Sequence, residues 1–98
     1  MSTFSVLADP SRRRIMDCLL LGPQSVNVMV DDVGMSQPVV SKHLRILREA
    51  GLVSVTPDGQ RRLYKIEAAP LQEVDKWVSQ YRQFWSARLD ALEAHLDS

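Results

Sequence analysis

The chain has 98 residues, 45% of them apolar, with one cysteine and twelve side chains of each charge. That length suits one domain of ordinary globular composition, and the lone Cys18 excludes an intrachain disulfide. No apolar run is long enough to span a bilayer, and MSTFSVLADPSRRR holds no secretory segment, so a reducing, cytoplasmic setting is expected.

The neutral total hides an asymmetry. Between Ser36 and Ile66 lie six basic residues (Lys42, Arg45, Arg48, Arg61, Arg62, Lys65) and two acidic ones (Glu49, Asp58). The remainder carries the compensating negative charge. Positive charge gathered in the middle third favours a localised anionic partner.

In chain order, the first expected helix starts at Asp9 or Ser11, with Pro10 at an initiating position. Ile15, Cys18, Leu19 and Leu20 supply its apolar side, and Leu21-Gly22-Pro23 stops it. Arg12, Arg13 and Arg14 point in three directions on such a helix, so solvated or salt-bridged roles are expected for them.

The next stretch, SVNVMVDDVG (25–34), alternates like a strand at Val26, Val28 and Val30. Helix remains the better reading: Ser25 can cap, Val26, Met29, Val30 and Val33 recur at helical spacing, and Gly34 ends the segment. SQPVVSKHLRILREAG (36–51) then reads as a second helix, with Ser36 as N-cap, Pro38 in the first turn and Gly51 as the left-handed residue after its end. Val40, Leu44, Leu47 and Ala50 share one side, flanked by Val39, His43 and Ile46. Gln37, Ser41, Lys42, Arg45 and Arg48 share the other, which puts amide and hydroxyl groups at one end and cations further along, the groups that read base edges and hold phosphates. Two helices joined by a tight turn, the second polar on its outer side, make a helix-turn-helix over about 25–51.

Leu52–Thr56 and Arg61–Ile66 read as two short strands joined by Pro57-Asp58-Gly59-Gln60, a hairpin over about 52–66. A basic hairpin directly after a recognition-type helix is a wing, with Gln60, Arg61 and Arg62 placed to reach a minor groove or flanking phosphates. Paired arginines also protect an edge strand from aggregation. Order along the chain favours the DNA role.

A long helix over about 70–97 carries an apolar stripe: Leu71, Val74, Val78, Tyr81, Trp85, Leu89, Leu92 and Leu96. The stripe recurs about every 3.6 residues, so it runs along a nearly straight helix of about 40 Å. A domain of this size cannot cover it together with Trp77 and Phe84. The expected use is a homodimer through this helix, packed with the first helix; a ligand site lined by Trp77, Tyr81, Phe84 and Trp85 is the second use.

The segments ADPSRRRIMDCLL (8–20), MSQPVVSKHLRILREAGLV (35–53) and DGQRRLYKI (58–66), followed by the aromatic-rich helix, resemble the ArsR-type winged-helix transcriptional repressors over nearly the whole chain. The SQPxVSxHLxxLxxAGLV pattern is specific. The resemblance implies a mainly α (α+β) fold, a winged helix-turn-helix with a β-hairpin wing and a long C-terminal dimerisation helix. It implies a dimeric cytoplasmic regulator that binds an imperfect palindrome in double-stranded DNA and blocks transcription of its own or a neighbouring operon. By matching position, Gln37, Ser41 and Lys42 face the groove with Val39 beside them, Ser36 and Arg45 hold the backbone, and Gln60, Arg61 and Arg62 are the wing contacts.

Departures from the family bear on regulation. Where founding metal sensors carry Cys-Val-Cys, this chain reads Ser25-Val26-Asn27, which supplies no thiolate. Asp90, Glu93 and His95 make a poor transition-metal set near a fraying end, and a packing or phosphate role is expected for His43. Cys18 fits a small core residue better than a redox sensor. No metal and no cofactor is expected, and a small-molecule inducer stays open. An enzyme is disfavoured, because no Gly-rich phosphate loop, Cys/His cluster or nucleophile–base motif is present. A winged helix turned protein-interaction module is the alternative, but such a domain has no need of the polar face kept by Gln37, Ser41, Lys42 and Arg45.

Overall fold

A computed structural model describes residues 2–97, with the side chains of residues 94, 95 and 97 outside the description. It contains α1 (Thr3–Leu7), α2 (Pro10–Cys18), a 3-10 turn (Leu19–Leu21), α3 (Val26–Val33), α4 (Gln37–Glu49), β1 (Val53–Asp58), β2 (Arg61–Ile66) and α5 (Leu71–Asp97).

Helix α1 carries no apolar periodicity, being barely more than one turn. Its ends are satisfied from outside: Ser2 Oγ accepts from the Ser5 N–H at 3.1 Å, while Arg13 Nη1 donates to the Leu7 and Ala8 carbonyls at 2.7 and 3.1 Å. Arg12 Nη1 reaches the Val6 carbonyl at 3.3 Å. Two of the three consecutive arginines therefore cap a neighbouring helix, a role beyond the expected solvated or salt-bridged one, while Arg13 and Arg14 are both exposed as expected. Cations at a helix C-terminus also complement its dipole.

Asp9 caps α2 as expected, accepting from the Ser11 N–H at 2.8 Å, and that bond is the main cause holding its carboxyl below the usual range. Ile15, Met16 and Leu19 are buried, but Leu20 is 74% exposed, against expectation. The chain tightens into the 3-10 turn after Cys18, which changes the phase of the side chains and turns Leu20 and Leu21 outward.

Helices α3 and α4 fall where the periodicity puts them. Gly34 (φ +70°) ends α3, and Gly51 (φ +76°) ends α4. After α4, the Leu52 N–H donates to Leu47 O at 2.9 Å and the Gly51 N–H to Arg48 O at 3.0 Å, the two bonds of a Schellman motif. Leu47 and Leu52, both fully buried, meet at the same junction. The motif thus aims the chain from α4 into the wing.

The core gathers Val6, Ile15, Met29, Val40, Leu44, Leu47, Leu52 and Val53 from four helices and the first strand. Strands β1 and β2 pair antiparallel from Val53↔Ile66 to Asp58↔Arg61. The hairpin is longer than expected: Pro57 and Asp58 belong to the strand, and only Gly59 and Gln60 turn. Gly59 has φ +62° and Gln60 does not enter the positive-φ region, the pattern of a type II′ turn. Pro57 lacks an N–H, which an edge strand tolerates. Gln24 and Tyr64 exchange backbone bonds of 2.9 and 2.8 Å, an extra rung that fastens the wing to the segment before α3.

Helix α5 begins at Leu71, after Pro70 rather than at it. Its apolar stripe divides. Leu71, Val74 and Val78 are half-buried within the protomer, whereas Tyr81, Trp85, Leu89 and Leu92 are exposed. Helix α1 packs on its first turns, with Phe4 edge-on to Trp77 at 5.7 Å between ring centroids. That packing comes from α1, a helix with no counterpart among the expected elements.

Candidate nucleic-acid interface

Three elements build one polar, basic surface. The first is α4, whose Val40, Leu44 and Leu47 are buried and so fix the opposite side outward. Ser36, Gln37, Ser41, Lys42, Arg45 and Arg48 are all exposed there. Pro38, Ser41, Lys42 and Arg45 line a shallow groove of about 440 Å³. Val39 is 41% exposed at the edge of this surface.

The N-terminus of α4 differs from expectation in one respect. Ser36 has the extended backbone of an N-cap, but its side chain makes no capping bond, and neither does that of Ser25 at the start of α3. The absence of those bonds leaves both hydroxyls and the first N–H groups of each helix available to an acceptor.

The second element is the start of α3 and the third is the wing. They meet α4 in a cleft of about 300 Å³, lined among others by Ser25, Gln37, Gln60 and Arg62. The rung between Gln24 and Tyr64 sets the wing at this place. Helix α4 and the hairpin arginines, separated by some twenty positions in sequence, thus border one cavity.

The wing cations are not equivalent. Arg61 Nε donates to Asp58 Oδ2 at 3.0 Å across the turn, and Lys65 Nζ lies 3.8 Å from Glu67 Oε1. Glu67 is itself placed by Ser54 Oγ, which donates to Oε1 at 2.7 Å. Among the described residues, Lys42, Arg45, Arg48 and Arg62 have no acidic partner. Sequence reading missed the Arg61–Asp58 pair, although two residues flanking a two-residue turn face each other by register.

His43 stands between the surface and the core. It is half-buried, and its Nδ1 accepts from Arg12 Nε at 3.3 Å, a tie to α2 that fits the expected packing role. Cys18 is half-buried against the core; burial pushes its thiol up, and Asp32 and Asp17 add to the effect. Ser25, Val26 and Asn27 occupy the first turn of α3 and offer no soft ligand. The His95 side chain, weighed above as a metal ligand, lies outside the described residues. Among the described residues, no helix is long and apolar enough to cross a membrane.

The sequence pattern of the family described as "Bacterial regulatory protein, arsR family" matches residues 9–55, from the α2 cap into β1. The HTH-type transcriptional regulator Rv2034 of Mycobacterium tuberculosis is 34% identical over 95 residues, 97% of this chain and 86% of that protein. The transcriptional repressor SdpR of Bacillus subtilis is 31% identical over 77 residues, 79% of this chain and 86% of its own. Among solved structures, a "possible transcriptional regulator for arsenical resistance" superposes with a TM-score of 0.73 at 35% identity, covering 97% of this chain and 96% of that one. The homodimeric winged helix-turn-helix DNA-binding domain Mb0332 of Mycobacterium bovis superposes with a TM-score of 0.66 at 28% identity, covering 80% and 75%.

Proposed function

The chain belongs to the ArsR family of bacterial regulatory proteins, and we propose that two copies of it bind an imperfectly palindromic operator and repress its own or a neighbouring operon. The observation that carries this reading is the exposed side of α4, where Gln37, Ser41, Lys42 and Arg45 stand together with no acidic partner among the described residues.

In this reading α4 enters the major groove by its N-terminal half. Gln37 is a bidentate donor–acceptor suited to an adenine edge, the Ser41 hydroxyl can donate to or accept from a base edge, and Lys42 reaches a guanine. Ser36 and Arg45 hold the phosphate backbone, and the wing that carries Gln60, Arg61 and Arg62 lies along flanking DNA. Val39 adds an apolar contact of the kind a thymine methyl accepts.

A second copy covers the exposed part of the α5 stripe, Tyr81, Trp85, Leu89 and Leu92, continuing from Leu71, Val74 and Val78 nearer the protomer core. The related Mb0332 domain is described as homodimeric, which supports this arrangement. Pairing presents two recognition helices about one turn of duplex apart, roughly 34–36 Å, so operator symmetry mirrors protein symmetry.

Gln37→Ala tests the groove assignment. It should relax preference at one base position by about 1–3 kcal/mol, read by competition with single-base operator variants. Unchanged affinity together with unchanged preference would remove Gln37 from the groove.

A further inference from the structure

The two wing arginines are adjacent in sequence, but a strand sends successive side chains to opposite faces. Along β2, Arg62 shares its face with Tyr64 and Ile66, whose partners in β1 are Val55 and Val53. Val53 is buried and Tyr64 and Ile66 pack against the core, so this face looks towards the helices. Arg61 lies on the other face with Leu63 and Lys65.

Charge divides the same way. On the outer face each cation has an acid beside it: Asp58 at 3.0 Å from Arg61, and Glu67 at 3.8 Å from Lys65. Both pairs are well exposed and contribute little to stability. Their consequence is electrostatic: a phosphate approaching Arg61 also meets the Asp58 carboxylate. Arg62 has no such neighbour among the described residues. It borders the cleft between wing, α3 and α4, where Ser25, Gln37 and Gln60 add polar groups that can donate to an anion. Arg61 borders the same cleft, with its Nε turned to Asp58.

We infer that Arg62, rather than Arg61, is the wing residue that engages the DNA backbone, through a phosphodiester seated in the cleft between β2, α3 and α4. The inference rests on the duplex-binding reading above and refines it. Arg61 instead joins the two ends of the hairpin turn through Asp58, and its charge is largely cancelled where it stands. The seat lies next to Gln37, so the contact fixes the register in which α4 meets the bases.

The test is a set of anisotropy titrations of a labelled duplex from the chain's own upstream region, over a series of salt concentrations. The proteins are wild type, Arg61→Ala, Arg62→Ala, Arg62→Gln and Arg62→Lys, each checked for folding by circular dichroism. Each phosphate contact contributes about 0.9 to the slope of log K against log salt. Arg62→Ala and Arg62→Gln should each flatten the slope by about that amount per protomer. Arg62→Lys should keep the slope, and Arg61→Ala should leave it within error of wild type. If Arg61→Ala flattens the slope as much as Arg62→Ala, or if neither changes it while wild type binds, the assignment is wrong and the DNA-binding reading stands. A wild-type protein indifferent to duplex DNA overturns both.

Discussion

Arg12 joins two distant parts of the molecule through one guanidinium: its Nε donates to His43 Nδ1 at 3.3 Å, and its Nη1 donates to the Val6 carbonyl at 3.3 Å. The first bond holds α4, the second the C-terminal end of α1, which carries Phe4 against Trp77 of α5. The bond to Nδ1 requires that nitrogen to be unprotonated. Arg12→Ala should therefore lower stability by about 1–2 kcal/mol, measured by urea denaturation. In a double-mutant cycle, Arg12→Ala and His43→Ala should be non-additive, because they remove one shared bond. Strict additivity would show that the two side chains act independently.

The exposed stripe on α5 predicts a self-associating protein. Leu89 is 64% exposed in the protomer, so Leu89→Glu should leave the helical circular dichroism unchanged. It should convert a dimer into a monomer in sedimentation at micromolar concentration, and weaken operator binding by removing the second half-site contact. A wild-type chain that sediments as a monomer under those conditions would sink the dimer.

Cys18 is half-buried, and its thiol is pushed up first by burial and then by the Asp32 and Asp17 carboxylates. The reactive species is the thiolate, so alkylation should be slow in the native protein. Iodoacetamide at neutral pH should modify the native chain more slowly than the urea-unfolded chain. A native rate equal to or above the unfolded one would reopen a redox role for this residue.

Much of the architecture was legible because its signals are local. The periodicity of 36–51, bracketed by Ser36, Pro38 and Gly51, marks α4 and its two faces without reference to any other segment. The length and stripe of 70–97 likewise announce a helix with a surface to cover. What escaped depends on contacts made across the fold. Helix α1 is too short for a period and is held by arginines of the next helix. Leu20 turned outward because the end of α2 tightens, a change of phase that a regular helical wheel does not contain. The exposed polar residues of α4 and the wing were legible as a list; their inequality was not. Whether Arg61 or Arg62 is free depends on strand register and on Asp58 across a turn of two residues, which is shorter than the four residues expected from composition.

The central claim is that the side of α4 bearing Gln37, Ser41, Lys42 and Arg45 reads a specific duplex. The most direct measurement compares the affinity of the wild-type protein for duplex DNA from its own upstream region with that for an unrelated duplex, at several salt concentrations. The account predicts a steep fall in affinity with salt and a preference of about 10³-fold or more for the upstream sequence. Equal affinity for both duplexes, or binding indifferent to salt, would contradict it.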